Sequence, residues 1–396
     1  MLIPGRLRWR RRLVVLLLLL WLHSTVTALA SDASSFSDEL EFVHRRPVLP
    51  VASLFHLAFG FKYGEVLQRE EYFNLLHDLK GLEMRKAGTE EWVKVRGEVM
   101  EALETQGFFE VVYDDVSSEA LEELFGPVLK ELFGVPLDVK MIMNHSDMPY
   151  EAYAPRRPGC NFESLKVDDA SSDSSLSNFV ALLWPPNGNP HFCEVVGTYI
   201  RKIRELETMM RLMVVEALGV EKEWESLEKS VVYELRMTEY DAPENQETMV
   251  AMSTHLDINI ITILRQQKGQ GLEILTKDGK QLFAPPNSFS VIAGESLKAW
   301  SNGRVSTPPH RVKMLNNEKR HTIQFRSHFK NGCIIQAPEK LVDQDHPQVY
   351  KPYKYPDYVK FLFSKDGWVL NKWAENADTL KAYCGVEGEN DGMMKA

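Results

Sequence analysis

The sequence predicts a mainly β protein whose later half forms a sandwich or barrel, preceded by a helical region. Three observations carry this reading. Beyond about residue 230, β-rich runs follow in quick succession: Val231–Leu235, Met249–Ser253, Ile260–Leu264, Leu272–Leu275, Phe289–Ile292, Arg311–Met314 and Thr322–Phe329. Turn signals separate them, among them Asp278-Gly279, Pro285-Pro286-Asn287 and Asn302-Gly303. The 396 residues are 44% apolar, enough for a sizeable core. Many short strands at this spacing close into a sandwich or barrel, and a double-sheet jelly roll is one such solution.

The earlier elements follow in order. Arg6, Arg8, Arg10, Arg11 and Arg12 precede an apolar run from Leu13 to Leu22 and then Ala28-Leu29-Ala30. Charged, apolar and small residues in that order read as a secretory signal over 1–30, too short for a membrane span. Residues 31–90 read as linker and irregular chain, with Val48–Val51 as a possible edge strand. Trp92 to Gln106 has helical periodicity and Gly107 ends it; Phe108 to Tyr113 reads as a strand. Ser117-Ser118 opens a helix to Phe133, residues 144–192 read as loop, and Val195 to Leu218 is a long helix.

Charge and cysteine usage exclude several classes. The net charge is −10, and without residues 1–30 the chain holds 41 basic and 56 acidic residues, which argues against nucleic acid as a partner. Cys160, Cys193, Cys333 and Cys384 form no C-x-x-C pair, so neither a zinc site nor a disulfide scaffold is indicated. No H-E-x-x-H, Walker loop or G-x-G-x-x-G is present, and Gly294-Glu295-Ser296-Leu297-Lys298 lacks the final Gly of a nucleophile elbow.

The chemistry gathers around His255-Leu256-Asp257. Residues i and i+2 of a strand share a face, so imidazole and carboxylate can converge on one ion. Two histidines and a carboxylate on one face of an octahedron leave positions open for iron(II) oxygen chemistry. His310, 53 residues after Asp257, is the third candidate ligand. A second tripeptide, His145-Ser146-Asp147, serves as a control: His191 follows it, but position 203 is Ile and Arg201 lies in the predicted long helix. Ten residues after His310 stands Arg320, and Thr322 shares its strand face. A guanidinium forks onto a carboxylate and a neighbouring hydroxyl adds a hydrogen bond, which suits the distal carboxylate of 2-oxoglutarate.

With these residues in place the chain resembles the plant iron(II)/2-oxoglutarate-dependent dioxygenases of the isopenicillin-N-synthase-like superfamily. The family pattern of H-x-D, H and R-x-S reads here as His255-Leu256-Asp257, His310 and Arg320-His321-Thr322. Gly271-Leu272-Glu273, Pro286-Asn287-Ser288-Phe289, Trp300-Ser301-Asn302-Gly303-Arg304 and Pro309-His310-Arg311-Val312 match as well. The family's N-x-Y motif, whose tyrosine touches 2-oxoglutarate, aligns with Thr238-Glu239-Tyr240. Trp184-Pro185, His191-Phe192-Cys193 and Leu380–Gly385 are similar to the glucosinolate side-chain dioxygenases, with the auxin-oxidising dioxygenases nearby. The likeness spans roughly residues 90–385 and is most specific over 232–332. Thr322 for Ser keeps the hydroxyl, while Thr238 for Asn and Leu256 for Thr alter the pocket without touching the ligands.

The resemblance implies a double-stranded β-helix (jelly roll) core at 229–332, an N-terminal helical domain at 91–228 and a C-terminal extension at 333–396 with a closing helix. It implies a monomeric oxidoreductase with iron bound by His255, Asp257 and His310, and with 2-oxoglutarate bound by Arg320, Thr322 and Tyr240. Molecular oxygen is the other cosubstrate, ascorbate supports turnover, a small molecule is oxidised, and succinate and carbon dioxide are released. The family's cytoplasmic setting conflicts with the secretory reading of residues 1–30. Two alternatives stand beside this: an iron oxidase on the same fold that does not consume 2-oxoglutarate, and an inactive jelly-roll binding protein.

Overall fold

Helix starts in this chain are set by side chains that accept orphan backbone N–H groups. The computed structural model describes residues 76–79, 83–144, 152–157, 160–243, 249–267, 271–276, 281–285, 287–314, 318–364 and 378–386. All lie in one unit, Arg69–Ala396. The signal-like segment, Val48–Val51 and His145-Ser146-Asp147 fall outside the described residues. After strand β1 (Leu76–Asp78), Thr89 caps helix α1 (Glu90–Thr105) by accepting from the Trp92 N–H. Gly107 then turns the chain at φ 80° into strand β2 (Phe108–Val112), and a Cβ there would meet the Ser306 carbonyl oxygen at 2.4 Å. Ser117 caps α2 (Ser118–Glu123), which widens into a π turn over Leu124–Val128 before α3 (Leu129–Gly134). The predicted single helix is therefore present with a wide turn at Pro127, whose missing N–H breaks the regular ladder. Helix α4 (Leu137–Met141) follows.

The predicted loop over 144–192 is corrected. It contains strands β3 (Tyr153–Ala154) and β4 (Phe162–Asp168) and helix α5 (Asp173–Leu183), and α6 (Pro190–Ala217) begins inside it. Polar composition misled the reading, because the polar residues of β4 are buried with partners. Glu163 receives Lys140, Arg156 and the Tyr153 hydroxyl at 3.0 Å, and Ser164 receives the Thr238 hydroxyl at 3.2 Å. Helix α6 starts five residues before the predicted Val195. Pro190 occupies its first turn and Asn189 accepts from the Phe192 N–H at 3.0 Å.

After α7 (Trp224–Ser230) come β5 (Val231–Tyr240), β6 (Met249–His255), β7 (Ile261–Gln266), β8 (Leu272–Leu275), β9 (Gln281–Phe283) and β10 (Phe289–Ala293). Helix α8 (Glu295–Trp300) leads to β11 (His310–Met314), β12 (Arg320–Phe329), β13 (Ile334–Ile335), β14 (Tyr353–Lys354), α9 (Tyr355–Leu362) and α10 (Thr379–Cys384). Two sheets form the jelly roll, in the orders β1-β2-β10-β7-β12-β5-β4-β3 and β6-β11-β8-β9. Strands β5 and β12 run beyond their predicted limits, pairing from Arg320↔Tyr240 to Phe329↔Val231.

Period-2 alternation divides the larger sheet. Phe109, Val111, Leu235, Ile263, Val291 and Phe325 join the helices in one apolar core. Each such side chain, fully buried, contributes roughly 1.5–3 kcal/mol. The opposite face looks into the roll, where Phe108, Leu264, Leu272 and Ile292 form one small apolar cluster and Tyr240, Ala251, Val312 and Met314 another. Among the described residues, no helix is long and apolar enough to cross a membrane.

Candidate metal centre and cosubstrate site

Strands β6 and β11 lie side by side, with His310 directly opposite His255. Directly opposed residues share a face, and the two rings stand 4.3 Å apart between centroids. Asp257, two residues beyond His255, brings Oδ1 to 3.9 Å from His310 Nε2. One ligand atom from each of the three lies within 4.8 Å of the others.

Every member is held by a further contact. His255 Nδ1 meets the Ser253 carbonyl at 2.9 Å and His310 Nδ1 meets the Pro308 carbonyl at 3.1 Å. A proton on each Nδ1 satisfies those carbonyls and leaves Nε2 with a free lone pair. The Thr262 hydroxyl donates to Asp257 Oδ2 at 2.6 Å. The loop carrying Asp257 is pinned to the start of α8, since Glu295 N–H reaches the Asp257 carbonyl at 2.8 Å and Ser296 Oγ reaches the Ile258 carbonyl at 2.6 Å. A Cβ on Gly294 would meet the Asn259 carbonyl oxygen at 2.1 Å, so this approach requires glycine.

Electrostatics favour the ligating forms. Burial first, then the neighbouring His310, push His255 down to about 4, although its ring keeps some exposed surface. Burial alone would raise Asp257; His310, Arg326, His255 and the Thr262 hydrogen bond outweigh it and hold the carboxyl at about 2. Neutral imidazole and ionised carboxylate are the forms that bind metal. Two nitrogens and one carboxylate oxygen on one side fit iron(II) with open positions.

The second group lies on the inward face of β5, β7 and β12. Arg320 opposes Tyr240, and Thr322 opposes both Thr238 and Gln266. Arg320 is buried; its Nη2 donates to Gln266 Oε1 at 2.8 Å, and its guanidinium lies 5.1 Å from the centre of the Tyr240 ring. Gln266 is fixed in turn by donating to the Ala284 carbonyl at 2.8 Å. Among the described residues, Arg320 Nε and Nη1, Thr322 Oγ1 and Tyr240 Oη find no hydrogen-bond partner. Burial raises the Tyr240 hydroxyl, partly offset by Arg320 and Thr322, and burial lowers Arg320, partly offset by Tyr240. Buried groups left unsatisfied in this way cost free energy unless something else meets them. A forked cation with two hydroxyls fits a carboxylate.

The structure thus brings His255, Asp257 and His310 into one cluster and Arg320, Thr322 and Tyr240 into another. His145 lies outside the described residues, while His191 sits on the exposed start of α6 against Glu123 and Arg201 lies further along that helix. Thr262, Gln266 and the space left by Gly271 went unread in the sequence. A Cβ on Gly271 would meet Arg320 Nε at 2.4 Å. The alternation of β7 puts Thr262 and Gln266 on one face, but nothing local to that strand says which polar group it serves.

Comparisons with known proteins agree with this geometry. Residues 231–329 match the 2OG-Fe(II) oxygenase superfamily. The probable 2-oxoglutarate-dependent dioxygenase AOP1.2 of Arabidopsis thaliana is 35% identical over 291 residues, covering 71% of this chain and 88% of the relative. The rice dioxygenase for auxin oxidation is 25% identical with a TM-score of 0.61, covering 75% of this chain and 98% of that one. The Arabidopsis thaliana dioxygenase for auxin oxidation 1, solved as its 2-oxoglutarate complex, shares the fold at 22% identity and a TM-score of 0.60, over 69% and 98% of the two chains. Identity of that extent to a relative covered over most of its length decides the family: this chain belongs to the 2-oxoglutarate- and iron(II)-dependent dioxygenases, oxidoreductases that couple substrate oxidation to the conversion of 2-oxoglutarate into succinate and carbon dioxide.

Proposed function

We propose that His255, Asp257 and His310 hold the iron, that Arg320, Thr322 and Tyr240 hold the distal carboxylate of 2-oxoglutarate, and that the substrate is a small organic molecule. The carrying observation is the set of four buried, unpartnered polar atoms on Arg320, Thr322 and Tyr240, on the strand face turned toward the roll's interior. Iron(II), when bound, supplies the oxidative chemistry that these side chains cannot perform.

The protein's own tasks are orientation and charge. Thr262 fixes the Asp257 carboxylate by donating to Oδ2, leaving Oδ1 directed toward His310. The Ser253 and Pro308 carbonyls set both imidazole tautomers. Gln266 holds one arm of Arg320, so the remaining guanidinium N–H groups are pre-aimed and lose little freedom when a carboxylate arrives.

The test is succinate formation against 2-oxoglutarate concentration, with iron and ascorbate held constant. Hydrogen bonds to ionised groups contribute roughly 1.5–3 kcal/mol each, so Arg320→Ala is expected to raise the 2-oxoglutarate requirement at least about tenfold. Lysine at 320 restores charge without the fork and rescues only in part. Thr322→Ser is expected to be nearly silent and Thr322→Val to show a moderate loss. An unchanged requirement in Arg320→Ala would refute the assignment. Turnover without succinate would favour the oxidase, and absence of iron-dependent 2-oxoglutarate binding in folded protein would favour the inactive binder.

A further inference from the structure

Helix α8 bonds to both the loop that carries Asp257 and the C-terminal helices. Its N-cap residue is Gly294, which has no side chain to cap the helix. The first N–H groups of a helix find no partner within it, and here they bind the Asp257 loop. Gly294 N–H donates to the Ile260 carbonyl at 2.9 Å, Glu295 N–H to Asp257 at 2.8 Å and Ser296 N–H to Asn259 at 3.1 Å. The Ser296 hydroxyl donates to the Ile258 carbonyl at 2.6 Å. Four successive carbonyls, from Asp257 to Ile260, are thus each held by one of three successive residues. The same loop also aims the carboxylate. Asn259 Nδ2 donates to the Thr262 hydroxyl at 3.1 Å, and that hydroxyl donates to Asp257 Oδ2 at 2.6 Å. A shift of α8 therefore reaches Asp257 through its backbone and through its side chain.

The side chains of α8 are fixed in turn from the C-terminal part of the chain. Glu295 is fully buried, and its carboxyl accepts the Tyr358 hydroxyl of α9 at 2.6 Å. Thr379 of α10 lies 3.2 Å from that hydroxyl. Further along α8, Lys298 pairs with Asp378 at 2.8 Å, and Asp378 caps α10 by accepting from the Lys381 N–H at 3.0 Å. A buried carboxyl is costly to hold without a partner, so Glu295 favours the arrangement in which α9 and α10 are docked. One residue then has its backbone on the Asp257 loop and its side chain on the C-terminal helices.

We infer that Glu295 is a positioning residue for Asp257, and that docking of α9 and α10 through Tyr358 and Thr379 is coupled to occupancy of the metal site. This deepens the proposed function and rests on Asp257 being an iron ligand. With the Tyr358 hydroxyl in place, Glu295 is fixed and the carbonyls from Asp257 to Ile260 keep their donors. The carboxylate then stays aligned with the two imidazoles. Without that hydroxyl the Asp257 loop samples other positions, and a metal has to order it on binding, which lowers the affinity. Coupling between two sites is reciprocal, so a bound metal holds α9 and α10 more firmly in turn.

The experiment titrates the full chain with cobalt(II), whose visible absorption reports the number and geometry of its ligands. Tyr358→Phe is expected to weaken cobalt binding at least about fivefold, the lower end of typical coupling between sites, and to alter the spectrum of the bound ion. Glu295→Ala is expected to do the same, whereas Glu295→Gln keeps an acceptor for Tyr358 and should retain most of the affinity. Tyr233→Phe is the control for general destabilisation. It removes a buried tyrosine hydroxyl that accepts from Arg211 at 2.8 Å, and it should bind cobalt as the parent does. In the parent chain, hydrogen exchange of Tyr355–Leu362 and Thr379–Cys384 is expected to slow when cobalt binds. Parent-like affinity and spectrum in Tyr358→Phe would overturn the inference, as would equal weakening in Tyr233→Phe. So would a loss in Glu295→Gln as deep as in Glu295→Ala, or exchange in the two helices indifferent to cobalt. Failure of the iron assignment registers separately, as undiminished cobalt binding in Asp257→Ala.

Discussion

Gly271 and Arg320 compete for one volume, and the chain resolves the competition by omitting a side chain. With a Cβ at 271 only 2.4 Å from Arg320 Nε, the guanidinium must move, and its hydrogen bond to Gln266 goes with it. Gly271→Ala is therefore expected to raise the 2-oxoglutarate KM several-fold while leaving iron binding intact; equal KM values in variant and parent would contradict the crowding argument. The proposed metal ligands call for the opposite pattern. His255→Ala, Asp257→Ala and His310→Ala should each abolish activity and sharply reduce bound iron, measured by metal analysis after dialysis, whereas His145→Ala should do neither. Loss of iron in the His145 variant with retention in His255→Ala would reverse the assignment. At this scale much was legible. H-x-D spacing and the ten-residue step to Arg320 name the candidate ligands because metal and carboxylate chemistry demand particular side chains. Thr262, Gln266 and Gly271 act on those side chains from other strands, and their own neighbourhoods carry no sign of it.

Strand β2 joins the roll through β10, and the joint contains a buried acid. Glu110 accepts the Ser290 hydroxyl at 2.7 Å and also receives Ser288. Burial raises its carboxyl to about 7, with the two serines and Arg265 opposing the rise. Between about 4.5 and 7 the folded state then binds more protons here than the unfolded state. The contribution is fully present below the unfolded value and is lost as pH rises through the folded one. Glu110→Gln removes this dependence and keeps an acceptor for the serines. Its stability relative to the parent, from urea unfolding, should be greater at pH 8 than at pH 5 by on the order of 1–3 kcal/mol. A difference independent of pH would show that the carboxyl is ionised in both states. The same element teaches why β4 was read as loop. Glu163, Ser164 and Lys166 look solvated when taken one by one, but Lys140, Arg156, and Thr238 with Glu234 of β5 supply partners from three other segments.

For the whole molecule, the C-terminal helices connect to the loop that carries Asp257 through buried and part-buried polar contacts. Tyr358 of α9 donates to Glu295 at 2.6 Å, Thr379 lies 3.2 Å from the same hydroxyl, and Lys298 meets Asp378 at 2.8 Å. Glu295 in turn holds the Asp257 carbonyl through its own N–H. Tyr358→Phe leaves a fully buried carboxyl without that donor and should cost about 1–3 kcal/mol of stability, read as a lowered Tm; an unchanged Tm would mean that water replaces the hydroxyl. Metal and cosubstrate should act on the entire fold by mass action. Each present at a hundred times its Kd stabilises by about 2.7 kcal/mol, so iron(II) with 2-oxoglutarate should raise Tm by several degrees. Chelation should reverse the rise, and His255→Ala should abolish the metal-dependent part.

By itself the sequence determined the helix start at Ser117-Ser118, most of the strands after residue 230, the iron ligands as candidates and the arginine with its neighbouring hydroxyl. These are local matters: a cap needs a residue such as Ser117 beside the orphan N–H it satisfies, and a strand needs alternation within its own few residues. Tertiary structure alone decided that β4 is a strand, that Gln266 and Gly271 aim and accommodate Arg320, and that Arg326, Arg236 and Lys166 gather around Glu234. The reason is physical. The cost of burying a polar or charged side chain depends on which partners reach it, and across a folded sheet those partners come from strands tens to more than a hundred residues apart.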